Sequence, residues 1–367
     1  MTSEVAEPSG IRHLEALAQR PRPAGSAAEQ AAREYAATVL TTLGFTVQEE
    51  RFNYSAFPGR YATPVAGAVL GATIVVASAL GLDGSATGAA AVLVTGGLAT
   101  ALFARWMLGD GVLTVPWLRC EGVNLAATRG LRAPTVWLSA HLDSKSQPVP
   151  SAVRVAGVSL LALGMVLAFG ALGLTLVGVH SRTAWWGALA VGVAGALPVM
   201  ASVVGARSDG AVDNASGVAA VLAAAARVDP ELPCGVLLFS AEELGLAGAR
   251  AWARTHAAST ALNCDGVDDG GSLVIMYNLP APSDVIDAVR VAVPAPKVAR
   301  ARHMPLGLLT DSTALAAAGW RAVTLSHGSL VTLRRIHTAN DSLAALRGDR
   351  IDGVADILAR AAEALAT

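Results

Sequence analysis

Four long stretches of the chain contain no Asp, Glu, Lys or Arg residue, and they limit the possible folds more than any other feature. The stretches cover residues 62–82, 84–104, 155–179 and 183–206, so each is 21 to 25 residues long. A transmembrane helix needs about 20 consecutive apolar residues. Each stretch is therefore long enough to cross a bilayer. Buried helices of a large soluble core are the alternative interpretation.

The charge-free stretches come in two pairs. Asp83 alone separates the first two, and residues 180–182 separate the last two. Links this short force consecutive helices to run antiparallel, which predicts two membrane hairpins. Gly67 and Gly71 form a GxxxG pattern in the first stretch, and such small residues let membrane helices approach each other closely.

The rest of the chain has the composition of a soluble domain. Charged residues make up 15% of the whole chain but 20% of the 276 residues outside the four stretches, against an average of about 25% for soluble domains. The net charge is -1, so we expect no nucleic-acid partner. We predict one soluble domain in three parts (1–60, 109–152 and 207–367), interrupted by transmembrane hairpins at 61–108 and 153–206.

The N-terminal residues and the cysteines bear on localisation. Residues 1–20 contain three glutamates and lack an apolar core, so no cleavable signal peptide is expected. Cys120, Cys234 and Cys264 form no CxxC pair and are too few for a disulfide framework, which fits a reducing compartment.

Outside the hairpins, short apolar strands alternate with helices. Strands are predicted at 45–52, 123–127, 135–140, 235–239, 261–264, 273–276 and 322–325, and helices at 26–43, 215–227, 283–293 and 350–366. This alternation predicts an α/β fold with a mixed, mostly parallel sheet flanked by helices.

Acidic and histidine residues follow several predicted strands. His141 and Asp143 come after the strand at 135–140, the pair Glu242-Glu243 comes after the strand at 235–239, and Asp265 comes after the strand at 261–264. Ligand sites of α/β sheets gather at the carboxyl ends of strands. Asp213 precedes a predicted helix, and His337 lies in a late loop with Asp341.

Two histidines, two aspartates and one glutamate make a suitable ligand set for zinc. Five such ligands fit two metal ions if one carboxylate bridges them, and cobalt or manganese could replace zinc. In the pair Glu242-Glu243, one side chain can bind metal while its neighbour serves as a general base. Taken singly, each motif has an ordinary explanation as a helix cap or a turn. Their order along the chain favours a metal site.

Five segments, in this order, resemble the M28 family of zinc aminopeptidases and carboxypeptidases. They are SAHLDS at 139–144, GAVDNASGV at 210–218, FSAEELGLAG at 239–248, NCD at 263–265 and IHT at 336–338 with Asp341. RPRPAGS at 20–26 and TD at 310–311 also resemble family segments. The resemblance implies a zinc-exopeptidase-like fold and a peptide substrate.

The resemblance also implies a role for each ligand. Asp213 would bridge two zinc ions, His141 and Asp265 would complete one site, and Glu243 and His337 would complete the other.

Two further residues would support catalysis. Glu242 would be the general base that takes a proton from the attacking water and passes it to the leaving amine. Asp143 would hold the imidazole of His141 in place.

The spacing differs from that of the family, because 71 residues separate His141 from Asp213 and most of them belong to the second hairpin. We hypothesise that the active site opens near the membrane surface, which would either restrict the access of large folded proteins or favour membrane-associated peptides. The bilayer is an expected partner, as is a second copy bound through the transmembrane helices.

Three alternatives stay open at this point. The selectivity could be that of an aminopeptidase or a carboxypeptidase, with the aminopeptidase favoured. The same scaffold could carry a single-zinc, glutaminyl cyclase-like acyl transfer. It could also serve as a non-catalytic membrane scaffold or receptor.

The distribution of basic residues predicts which face of the membrane carries the catalytic domain. Seven basic residues near the span ends lie on the catalytic side, and only Arg182 lies on the other side. They are Arg51, Arg60, Arg105, Arg119, Lys145, Arg154 and Arg207. The positive-inside rule then predicts a cytoplasmic catalytic domain in the cell membrane.

Overall fold

The computed structural model describes residues 9–305 and 308–366, which form two compact units. The first unit contains the described residues of 1–54, 119–146 and 206–367, and the second contains Ser55–Leu118 and Gln147–Gly205. Residues 1–8, which belong to the segment expected to lack a signal peptide, lie outside the described residues.

An eight-stranded sheet forms the centre of the first unit. Its strands are β1 (Thr46–Ser55), β2 (Arg119–Thr128), β3 (Val136–His141), β4 (Cys234–Phe239), β5 (Thr260–Val267), β6 (Ser272–Tyr277), β7 (Arg300–His303) and β8 (Arg321–Gly328). The strand order is β1-β2-β4-β3-β5-β8-β6-β7. The pairs β3–β4, β3–β5, β5–β8 and β6–β7 are parallel, whereas β2–β4 and β6–β8 are antiparallel. The predicted mixed, mostly parallel sheet is confirmed.

Helices flank this sheet and build the second unit. Those of the first unit are α1 (Gly10–Leu17), α2 (Ala27–Thr42), α8 (Gly217–Arg227), α9 (Ala247–Thr255), α10 (Ser283–Ala292), α11 (Asp311–Ala317), α12 (Leu330–Arg335) and α13 (Ile351–Ala366). Those of the second unit are α3 (Thr63–Leu82), α4 (Ala86–Trp106), the short α5 (Val112–Thr114), α6 (Ser151–Leu176) and α7 (Arg182–Met200).

Burial explains the composition of the central strands. Every residue of β3 and β4 is buried, and strands covered on both faces read as continuous apolar runs. The alanine-rich helix α8 packs on β3 and β5, because small side chains let its backbone come close to the sheet. Helix α13 packs against α8 in the same layer.

Local signals set the bounds of α2. The Ser26 side chain accepts a hydrogen bond from the backbone N–H of Glu29 at 3.2 Å and caps the amino end of the helix. After the helix, Gly44 adopts a φ of 82°, which a glycine tolerates without strain. The sequence placed this helix at 26–43, within one residue of each observed end.

The second unit contains four helices that are long and apolar enough to cross a membrane. They are Pro58–Leu82, Ala86–Trp106, Ser151–Leu176 and Arg182–Met200. Gly67 and Gly71 lie where α3 meets α7, and a Cβ at Gly71 would be 2.8 Å from the Cβ of Ala196. Only a residue without a side chain lets these two helices approach so closely.

The fourth of these helices is shorter than the charge-free stretch that predicted it. The stretch runs to residue 206, but the helix ends at Met200. The residues that follow include Val203, Val204 and Gly205, all with low helix propensity.

Candidate metal centre

Parallel strand register brings three candidate residues to one edge of the sheet. His141 ends β3 and lies level with Phe239 at the end of β4, three residues before Glu242. Asp265 lies near the end of β5, on the other side of β3. The Nε2 atom of His141 is 3.7 Å from Asp265 Oδ1 and 4.0 Å from Glu242 Oε2.

Asp213 lies between the two candidate histidines. Its Oδ1 is 3.1 Å from His141 Nε2, and its Oδ2 is 2.9 Å from His337 Nε2. On the far side, His337 Nε2 is also 3.3 Å from Glu243 Oε1. Each carboxylate oxygen of Asp213 therefore faces a different imidazole.

The donor atoms form two groups of three. One group contains His141, Glu242 and Asp265, and the other contains Asp213, Glu243 and His337. Within each group, one donor atom per residue lies within 4.8 Å of the others. The structure thus brings all five predicted ligands and the predicted base together in one cluster, in which only Asp265 is half-buried and the other five residues are buried.

A short turn carries the two glutamates, and Asp143 holds it. The Asp143 carboxylate accepts hydrogen bonds from the backbone N–H groups of Glu242, at 3.0 Å, and Glu243, at 3.2 Å. For the imidazole of His141, the nearer partner is the backbone carbonyl of Asp143, 3.0 Å from Nδ1, while the carboxylate Oδ1 is 3.6 Å away. Asp143 thus contacts both the histidine and the glutamate turn.

Asp341 holds the loop of Asp213 in the same manner. Its carboxylate accepts hydrogen bonds from the backbone N–H groups of Val212, at 2.7 Å, and Asp213, at 3.1 Å. In the sequence, Asp341 accompanies the segment at 336–338, but the pattern predicts no role for it. Its position four residues after His337 was the only available signal.

Asn214 connects the Asp213 loop to β5. Its side-chain amide donates to the Cys264 carbonyl at 3.0 Å, and its oxygen accepts from the N–H groups of Gly217 and Gly266, both at 3.1 Å. Cys264 and Gly266 flank Asp265, so the loops of two candidate ligands are fixed to each other.

Two residues of the site adopt left-handed backbone conformations that favour glycine. The φ angle is 57° at Ala241, directly before the glutamate pair, and 63° at His337. For an L-residue this conformation costs roughly 1–2 kcal/mol. Such strain persists where surrounding contacts over-determine the backbone, as they do here.

Burial and mutual charge shift the pKa values of the acidic groups. Burial raises the pKa of Glu242 well above its usual range and also raises that of Asp265. Burial acts against ionisation of Asp213 as well, but hydrogen bonds from His141 and His337 hold its pKa well below the usual range. Asp213 therefore ionises more readily than Glu242, which suits the two carboxyl groups to different tasks.

Glu243 ionises readily despite its burial. The ammonium of Lys145, which contacts Glu243 Oε2, and the charge of His337 lower the pKa of this buried carboxyl to about 2. Its other oxygen, Oε1, accepts no well-aligned hydrogen bond from the described residues, although His337 Nε2 lies 3.3 Å away. A buried carboxylate oxygen with this geometry has the capacity to bind a cation.

Asp311, which lies beyond the predicted set, extends the acidic environment of the site. Asp311 is fully buried, and neither of its carboxylate oxygens has a hydrogen-bond partner among the described residues. Burial raises its pKa well above the usual range, and the negative charge of Asp265 adds to the shift. His327 lies on β8 beside Val267 of β5, and its Nδ1 atom is 2.7 Å from the carbonyl oxygen of Asp268.

The donor set fits divalent metal ions. It offers two imidazoles and several carboxylates, which zinc binds at about 2.0–2.2 Å. Asp213 is the only described residue whose two oxygens each contact one of the two histidines. The fold and the site together define an α/β protein with two groups of candidate metal ligands at the carboxyl edge of its sheet.

Comparison with known proteins gives the family. The family model of peptidase family M28 matches residues 124–362, and the chain belongs to this family. No curated protein sequence matches the chain.

Solved structures share the fold at low sequence identity. A zinc aminopeptidase from Bacillus subtilis matches with a TM-score of 0.56 and 15% identity, over 96% of this chain and 93% of that one. A leucine aminopeptidase precursor from Bacteroides thetaiotaomicron matches with a TM-score of 0.57 and 13% identity, over 97% and 96%. A glutaminyl cyclase from Porphyromonas gingivalis matches with a TM-score of 0.55 and 15% identity, also over 97% and 96%. At these identities the likeness establishes the fold and not the reaction.

Proposed function

We propose that this protein is a membrane-bound aminopeptidase that holds two zinc ions. The observation that carries the proposal is the position of Asp213, whose two carboxylate oxygens face His141 and His337 separately. A carboxylate placed in this way suits a bridge between two metal ions. The family membership supports a peptide substrate, and aminopeptidases are among the solved structures with this fold.

The proposed ligands divide around that bridge. His141, Asp213 and Asp265 would hold one ion, and Asp213, Glu243 and His337 would hold the other. When bound, zinc lowers the pKa of a coordinated water and polarises the carbonyl of the scissile bond.

Glu242 is the proposed general base. It is buried beside the other site residues, and burial raises its pKa well above the usual range, which makes its carboxylate a stronger base than that of an exposed glutamate. A carboxylate oxygen of Glu242 takes one proton from the attacking water, whose oxygen forms the new bond to the carbonyl carbon. Glu242 then delivers that proton to the amine nitrogen as the peptide bond breaks.

A peptide-library digest tests the reaction. Purified protein should shorten peptides from the amino end, and a chelator should abolish the cleavage until zinc is restored. Shortening from the carboxyl end would assign a carboxypeptidase instead. Cyclisation of peptides with an amino-terminal glutamine, together with one metal ion per chain, would favour the glutaminyl cyclase alternative.

Membrane attachment by four spans is part of the proposal. Val94, Leu98 and Leu102 follow one another at intervals of four on α4 and are 56%, 58% and 59% exposed. An apolar stripe of this kind costs free energy in water and is stabilised by lipid. The bias of basic residues supports a cytoplasmic catalytic unit, and self-association through such helix faces is a further part of the proposal.

A further inference from the structure

We propose that Arg22 is a positioning residue that ties together the two loops carrying His141 and Asp213. This inference rests on the proposed metal-binding function. It concerns a residue outside the segment 124–362 that matches the family model. Arg22 lies in the connection between α1 and α2.

The guanidinium of Arg22 donates its hydrogen bonds to backbone carbonyl groups. Its side chain is buried, with 2% of the residue exposed. The guanidinium donates to Leu142 at 3.0 Å through Nε, to Leu17 at 2.8 Å and Asp209 at 2.6 Å through Nη1, and to Gly210 at 3.1 Å through Nη2. One side chain therefore joins three separate segments of the chain.

Two of these segments carry the proposed ligands. Leu142 directly follows His141, and Gly210 comes three residues before Asp213. Between the two segments, the chain leaves the first unit after Ser146 and re-enters it at Ala206. No short covalent connection fixes the distance between His141 and Asp213, so non-covalent contacts must do so.

Serine side chains reinforce the same junction. Ser144 Oγ accepts from the backbone N–H of Arg22 at 2.9 Å and donates to the Ser208 carbonyl at 3.1 Å. Ser146 Oγ accepts from the Arg207 N–H at 2.8 Å. Arg22 is the member of this set that reaches the residues closest to both ligands.

The guanidinium is suited to this task by its charge and its shape. Burial lowers its pKa to about 10, opposed by the charges of Asp341, Asp143, Asp209 and Asp213, so it stays cationic at neutral pH. Its planar fork donates in several fixed directions at once. A lysine keeps the charge but presents a single ammonium on a flexible stem.

The test measures metal affinity and not turnover. Full-length wild type, Arg22→Lys and Arg22→Met, freed of metal with a chelator, are titrated with cobalt(II) and followed by visible absorption. Both variants should bind cobalt about 10–100-fold more weakly than wild type, the range typical for residues that orient metal ligands. The matched control is Arg33→Lys, a second buried arginine that pairs with Glu49 at 2.7 Å and should bind as wild type does.

Two results would overturn the inference. If Arg22→Lys binds cobalt as tightly as wild type, positive charge alone is sufficient and the tie between loops is not needed. If Arg22→Met also binds like wild type, the residue has no part in positioning.

A variant at a second residue tests the inference even if the Arg22 variants do not fold. Ser144→Ala removes a tie at the same junction without exposing a buried charge, and it should weaken cobalt binding by a few-fold. Unchanged affinity in this variant would contradict the role of the junction. A wild-type protein that binds cobalt but cleaves no peptide would contradict the proposed function alone.

Discussion

The carboxylate of Asp143 accepts a hydrogen bond from the backbone N–H of Glu242 at 3.0 Å. Its second oxygen accepts from the next N–H, that of Glu243. Asp341 holds two consecutive N–H groups of the Asp213 loop in the same way. Two buried aspartates that are not proposed ligands thus fix the loops on which proposed ligands stand.

Replacing Asp143 with Asn should slow catalysis without emptying the site. The amide has one acceptor oxygen, so its NH2 group would face an N–H donor of the glutamate turn. We expect kcat to fall by roughly 10–100-fold, with only a small loss of metal, measured by mass spectrometry, because Glu243 is the only proposed ligand on this turn. The comparison variant Asp341→Asn should weaken metal binding instead, because it loosens the Asp213 loop. If both variants lose the same amount of metal, the different roles expected for Asp143 and Asp341 are wrong.

Replacing Glu242 with Gln should remove the proton carrier and keep its size. Turnover of a peptide substrate should fall by roughly 10²–10⁴-fold, the contribution of a positioned general base. The bound metal should remain, because Glu242 is not among the proposed ligands. Wild-type turnover in this variant would rule out Glu242 as the base.

The sheet and its functional edge could be predicted because they depend on local patterns. Continuous apolar runs marked β3, β4 and β5, and polar residues directly after a run mark the carboxyl edge of a parallel sheet. The strand β7 was not predicted, because Arg300–His303 reads RARH and contains one apolar residue. Such an edge strand leaves no alternating pattern in the sequence.

The contacts of Arg22 and Glu29 could not be predicted either. Arg22 reaches carbonyl groups more than 100 residues away along the chain, and Glu29 accepts a hydrogen bond from Ser240. Polar contacts of this range follow from tertiary packing and have no periodic signature. In the sequence, the same residues look like ordinary surface charges.

Metal stoichiometry should separate the bridging ligand from a terminal one. Asp213→Ala removes a donor from both positions, so close to zero metal ions per chain are expected. Asp265→Ala affects one position and should retain about one ion. The control is Asp268→Ala, which should keep the metal content of wild type. The Asp268 carboxylate already accepts hydrogen bonds from Arg335 at 2.7 Å and from Thr332 at 2.6 Å. Equal metal loss in the first two variants would contradict a bridging Asp213.

Glu29 should make the stability of the metal-free protein depend on pH. It is buried and accepts hydrogen bonds from Gly25 and Ser240, both at 2.6 Å. Burial, together with the negative charge of Asp143, raises its pKa to about 7, compared with about 4.3 in an unfolded chain. Between these values the folded state keeps a proton that the unfolded state has released. The stabilisation from this group is therefore complete below about pH 4.3 and is lost as the pH rises through 7.

Glu29→Gln should remove that dependence. Between pH 5 and pH 8, the unfolding temperature of wild type should fall further than that of Glu29→Gln, by on the order of 5 °C. Thermal unfolding of chelator-treated protein measures the difference. Glu34→Gln, an exposed position on the same helix, should follow wild type at every pH. If the unfolding temperatures of wild type and Glu29→Gln change with pH in the same way, Glu29 does not titrate in this range.

The cysteines of the chain provide a test of membrane orientation. If the four apolar helices cross the membrane, seven basic residues near their ends share a side with the first unit, and Arg182 lies on the opposite side. This distribution predicts a cytoplasmic first unit. Cys120 is half-buried in that unit, whereas Cys234 and Cys264 are buried. Ser181→Cys places a further thiol in the link between α6 and α7. A membrane-impermeant maleimide added to intact cells should label the thiol introduced at 181 and spare Cys120, and permeabilised cells should show both labels. Labelling of Cys120 in intact cells would reverse the orientation.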